Sequence, residues 1–141
     1  MWIHYPIIFL ITQMCLLWLL TMGLRIAAFK QKKVSVSDIQ FIEKSHFPKT
    51  AMLVGNSYDN QFQQSTLFIV LLCLLSQQNI EGHFWYVIST FFVLARYWHC
   101  IEHILCKNLL LRTLSFALAS ACFFIAWFGY LYTCLNDILL F

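Results

Sequence analysis

Apolar residues run through this chain in four long blocks separated by polar connections. The first begins at Pro6 and is closed by Arg25 and Lys30. A helix needs about 20 apolar residues to cross hydrocarbon, and open strands cannot cross it with unpaired backbone groups. The pattern therefore predicts an all-α integral membrane four-helix bundle, one domain over residues 1–141, with spans at about 6–29, 55–75, 83–106 and 110–133. The longest connection, about 30–50, holds Ser35, Ser37 and Pro48, which argue against one continuous helix through it.

Composition agrees with that reading. The chain is 61% hydrophobic and only 11% charged, whereas a soluble domain carries about 25% charged residues. Disorder is excluded by the same numbers, and so little polar sequence remains that any chemistry must sit in the bundle or on its rim. A cleaved leader places basic residues before a short apolar stretch. Here the basic residues follow the first block, which predicts a retained span.

Charge placement sets the expected topology. Arg25, Lys30, Lys32, Lys33, Lys44 and Lys49 lie between the first two blocks, and Lys107 and Arg112 between the last two. The connection 76–83 has no Lys or Arg. The positive-inside rule then puts both basic connections in the cytoplasm and the termini outside. Trp2, Tyr5, Trp85, Tyr86, Tyr130 and Tyr132 gather at the inferred outer boundary as an aromatic belt. Basic residues in this arrangement face the bilayer rather than a nucleic acid. The cysteines, at positions 15, 73, 100, 106, 122 and 134, form no Cys-x-x-Cys pair. They are expected to pack as small apolar residues rather than to build a disulfide framework or a zinc site.

Polar residues inside a span are functional candidates, because burying them in lipid is unfavourable. At about 100° per residue, Asn56, Asp59, Asn60 and Gln63 share one sector of the second span. A bound polar ligand, an interhelical hydrogen-bond network or a solvated helix entrance each account for that sector. In the third span Arg96, His99 and His103 share a face, with Glu102 at its flank. Arg96 lies too deep to snorkel, so it needs a buried acceptor: Asp59, Glu102 or a ligand carboxylate are the candidates, a structural ion pair among the outcomes. A proton or ion pathway through Arg96, His99, Glu102 and His103 is a further reading.

His99-Cys-Ile-Glu-His103 also fits the His-x-x-Glu-His pattern of inverted metallopeptidases. Such a site needs a third ligand. After His103 the acidic residue available is Asp137, on the other side of the membrane in this topology, so no metal site is expected. Arg112 falls in the first turn of the fourth span, where free backbone amides carry partial positive charge. An arginine there makes an anion site able to hold a carboxylate or a thiolate, although topology alone also accounts for it.

Asn60-x-x-Gln63, followed by Arg96-x-x-His99-x-x-x-His103-x-x-x-x-Asn108-x-x-x-Arg112, resembles the MAPEG family, the membrane-associated proteins of eicosanoid and glutathione metabolism. The resemblance covers nearly the whole chain, is densest from Asn56 to Phe116, and looks closest to the small bacterial members. It implies a homotrimer in a bacterial inner membrane, with glutathione as co-substrate in clefts between subunits and a lipophilic small molecule arriving from the bilayer. By position, Asn60, Gln63, Arg96, His99, His103 and Asn108 would bind glutathione, and Arg112 would hold its sulfur as thiolate. A cation beside a thiol lowers its pKa, and the thiolate is the nucleophile.

The chain also departs from the family. Members commonly carry glutamate where Gln63 stands, and the eicosanoid-synthesising members carry tyrosine at the position of His103 and arginine at that of Asn56. These differences point away from leukotriene or prostaglandin synthesis. Two expectations follow: a glutathione transferase or peroxidase acting on hydrophobic electrophiles or lipid hydroperoxides, and a non-catalytic member that binds a lipid or a membrane partner in the same cleft.

Overall fold

The computed structural model describes residues 2–40 and 46–139, and every regular element among them is helical. Four long helices carry the fold: α1 (His4–Lys30), α3 (Lys49–Gln77), α4 (His83–Ile101) and α5 (Leu109–Leu139). A short α2 (Val36–Gln40) lies in the connection between α1 and α3, and a π-helical turn, Glu102–Cys106, extends α4. Lys44, assigned above to the basic connection, is outside the described residues.

The helices α1 and α3 stop for local reasons. The end of α1 carries a Schellman motif: Lys33 N–H bonds the Ala28 carbonyl, Lys32 N–H the Phe29 carbonyl, and Lys32 adopts φ 55°. The end of α3 repeats it, with Ile80 bonded to Leu75, Asn79 to Ser76, and Asn79 at φ 54°. Asparagine tolerates the left-handed region better than most side chains. In the long connection Ser35 and Asp38 cap α2 reciprocally. Asp38 N–H donates to Ser35 Oγ, and Ser35 N–H donates to Asp38 Oδ2 at 2.7 Å. With His46 Nδ1 at 2.6 Å on its other oxygen, these bonds, led by the Ser35 backbone N–H, hold the Asp38 carboxyl at about 2. Pro48 then precedes α3, where its fixed φ suits a helix entry.

The long helices pack in a closed cycle, α1 on α3, α3 on α5, α5 on α4 and α4 on α1. Lipid tails are as apolar as leucine, so close packing and interhelical hydrogen bonds must hold such helices together. Ser115, Ala119, Cys122 and Ala126 make a buried small-residue stripe on α5 that lets α4 approach. At Gly129 a β-carbon would sit 3.4 Å from the Phe84 and Trp85 rings of α4, the near limit of ordinary van der Waals contact. Phe68 of α3 and Phe92 of α4 stack at 3.9 Å in the centre, both fully buried. Outward faces carry Ile8, Leu19, Leu94, Phe124 and Phe128, all exposed.

Two of these helices, His4–Lys30 and Leu109–Asn136, are long and apolar enough to cross a membrane, with mean hydropathy 2.2 and 1.9. The polar residues of α3 and α4 keep those two below the same measure, and they are the residues that build the site described next. Helix ends differ most from the expected span ends at two places. α3 begins at Lys49 rather than 55, and α5 continues to Leu139 rather than 133.

Candidate functional site

Polar side chains collect where α3, α4 and α5 meet near the π turn. Arg96 is fully buried there and donates from all its nitrogens: Nη2 to the Asn60 carbonyl at 2.8 Å, Nε to Gln61 Oε1 at 3.2 Å and Nη1 to Gln64 Oε1 at 3.4 Å. The expected acceptors were Asp59, Glu102 or a ligand carboxylate. For the two acidic residues the structure corrects this: all three acceptors found are neutral oxygens of α3. Glu102 instead accepts from the indole of Trp98 at 3.1 Å, and Asp59 is exposed on the rim.

Gln61 organises this layer. Its Oε1 accepts from Arg96 and from Ser65 Oγ at 2.6 Å, which turns its amide nitrogen toward Cys100 Sγ at 3.0 Å. Gln13 of α1 arrives from the other side and donates to the Arg96 carbonyl at 3.1 Å and to Cys100 Sγ at 3.2 Å. Three helices are thereby joined through one buried polar layer. Neither Gln13 nor Gln61 was among the predicted site residues. Gln13 was legible as a lone amide in the first apolar block, and Gln61 as a polar residue one step off the Asn60–Gln63 sector.

Above this layer opens a cleft of about 510 Å³, lined by Asn56, Asp59 and Asn60 of α3, His99 of α4, His103 of the π turn, and Arg112, Thr113 and Phe116 of α5. His103 Nδ1 lies 3.0 Å from Ser57 Oγ. His99 Nδ1 lies 3.1 Å from the Arg112 carbonyl. A carbonyl only accepts, so Nδ1 carries the proton in that bond. His99 Nε2 is buried and has no hydrogen-bond partner among the described residues. A larger, apolar groove of about 560 Å³ lies between Trp2, Phe9, Tyr86 and Tyr97. That groove runs along α4 from Tyr86 to Tyr97 and shares no lining residue with the polar cleft. The cleft is the better candidate for chemistry because the cation, the imidazoles and the amides converge there.

Of the predicted site residues, Asn60, His99, His103 and Arg112 come together on the cleft wall. Arg96 lies outside that wall, bonded within the polar layer. Gln63 is exposed on another part of α3. Asn108 caps α5: its Oδ1 accepts from Leu110 N–H at 3.1 Å and Leu111 N–H at 3.2 Å. Losing such a cap typically costs about 1 kcal/mol. Asn108→Ala is therefore expected to lower stability by about that much, and a melting point equal to wild type would contradict the capping role.

Among the described residues no cluster of three or more His, Cys, Asp or Glu has the arrangement of a metal site. His99 and His103 face each other as rings 5.8 Å apart, but the nitrogens already bonded point to Arg112 and Ser57. The polar cleft can do something different: present one cation and two imidazoles, with the Asp59 carboxylate on the facing wall, to a polar or thiol ligand at the edge of an apolar helix bundle.

Fold and cleft define an all-helical membrane protein with a polar, cation-bearing site set between its helices. The model of the MAPEG family matches residues 5–132, and the chain belongs to that family. No match was found among curated proteins or solved structures.

Proposed function

We propose that this protein is a MAPEG-type membrane glutathione transferase or peroxidase acting on hydrophobic electrophiles or lipid hydroperoxides. The observation that carries the reading is the convergence of Arg112, His99, His103 and Asn60 on one open cleft. Glutathione is an anionic tripeptide with a thiol. Arg112, in the opening turns of α5, supplies a fixed cation where backbone amides add positive potential, and Asn60 offers an amide for the peptide. Arg96 supports the site indirectly by gripping the Asn60 carbonyl.

The remaining residues assigned by resemblance fit a homotrimer. Gln63 faces out of this chain, where a neighbouring subunit would meet it, and Asn108 sets the start of α5 and hence the position of Arg112. The lipophilic co-substrate would enter from the bilayer past the exposed apolar faces, with the protein crossing the membrane four times and its basic connections in the cytoplasm. The test is a glutathione titration of the solubilised protein, followed by thermal melting, oligomeric state and turnover of a chlorodinitrobenzene electrophile. Saturable stabilisation of a trimer with turnover above the uncatalysed rate is expected. Absence of both sinks the reading.

One feature favours the non-catalytic alternative. Gln63 replaces the acid common in the family, so an ion pair to the ligand's ammonium is missing. Lipid that stays bound through purification, together with no response to glutathione, would select that alternative.

A further inference from the structure

We infer that His99 is the base that takes the thiol proton of bound glutathione, leaving Arg112 to hold the thiolate. This rests on the proposed transferase function. It assigns His99 a specific chemical step rather than a binding contact.

The geometry fixes the tautomer. Because His99 Nδ1 donates to the Arg112 carbonyl at 3.1 Å, the lone pair of the neutral ring is on Nε2. That atom is buried and has no donor among the described residues, a condition that native proteins rarely leave without a ligand or water to relieve it. His103 is not fixed in the same way, since its Nδ1 partner is a hydroxyl that can donate or accept. The charged and titratable groups around His99 are Arg96 and His103 on its own helix and the π turn, Arg112 on α5 and Asp59 on α3 across the cleft. Once the sulfur is anionic, its charge offsets that of the new imidazolium, and the Nδ1–H bond to the carbonyl supports the cation.

The step balances. The S–H bond breaks, the proton moves to His99 Nε2 and the electron pair stays on sulfur beside Arg112. Sulfur then bonds the electrophilic carbon as its bond to the leaving group breaks, the leaving group departs as an anion (chloride from the chlorodinitrobenzene electrophile), and His99 Nε2 gives its proton to solvent.

Two measurements on the purified protein test this. In the wild type, thiolate absorbance and calorimetric proton release are recorded during glutathione binding near neutral pH. Thiolate formation with well under one proton released per site supports the proposal, and a full proton per thiolate overturns it. The variant His99→Asn keeps an N–H for the Arg112 carbonyl but has no base. Expected are retained stabilisation by glutathione, kcat lower by about 100-fold, and a pH–rate rise moved up toward an ordinary thiol at about 8.5. An unchanged kcat and pH profile in a variant that binds glutathione overturns it. If the wild type shows no saturable glutathione binding, the transferase reading itself falls and takes this proposal with it.

Discussion

Replacing Gln61 by leucine should destabilise the protein by about 3 kcal/mol, more than any other single polar change in the layer. Interhelical hydrogen bonds in membranes average only about 0.6 kcal/mol, because the unfolded helices find other partners. Gln61 differs in bonding a buried cation. Bonds to charged groups are worth about 1.5–3 kcal/mol, and stripping a buried charge of an acceptor costs more than the bond returned. The same substitution also deprives Ser65 of its acceptor and Cys100 of a donor. Leucine has nearly the volume of glutamine, so a cavity does not confuse the result. Gln64→Leu provides the comparison. Its bond to Arg96 is long, at 3.4 Å, and its bond to Ser120 Oγ, at 2.8 Å, is an ordinary part-buried interhelical one, so a loss of about 1 kcal/mol is expected. Equal melting or unfolding curves for the two variants would show that Gln61 does not anchor the layer.

Arg112→Ala should reduce kcat for glutathione conjugation by about 100- to 1,000-fold at neutral pH, the effect seen when one preorganised group is removed from a developing anion. The direction with pH follows from the thiol. A free thiol ionises near 8.5, so at neutral pH the variant has only the few per cent that is thiolate without help. As pH rises through that range the uncatalysed ionisation supplies the nucleophile and the deficit should shrink. Arg112→Lys keeps the charge on a shorter, point-like head and should recover part of the rate. Equal rates for wild type and alanine variant across the pH range would remove Arg112 from the chemistry.

The helices were legible because a span needs a long apolar run, and such runs leave little freedom in where they lie. Their ends were less so. Lys49–Val54 mixes polar and apolar residues without a stop signal, so α3 begins a turn and a half before the apolar block. The π turn at Glu102–Cys106 has no mark in the sequence, since it differs from α-helix by one residue of backbone register. For the site, spacings of three and four brought His99 and His103 onto one face, and helix-terminus electrostatics singled out Arg112. The partners of Arg96 were not legible. Charge complementarity pointed to Asp59 or Glu102, whereas the fold surrounds the guanidinium with amide and carbonyl oxygens. Which neutral acceptors meet a buried cation depends on how α3 is rotated against α4, and composition carries no record of that angle.

That neutral surrounding has an electrical consequence. A guanidinium held inside the bundle by uncharged oxygens keeps its full positive charge in a medium of low dielectric constant, where its field is weakly screened. Bringing a second cation close to such a charge is unfavourable. Arg96 first stood out as a possible link in a proton relay with His99, Glu102 and His103. In the folded protein its guanidinium bonds to α3 and stands there as a fixed positive charge near the cleft.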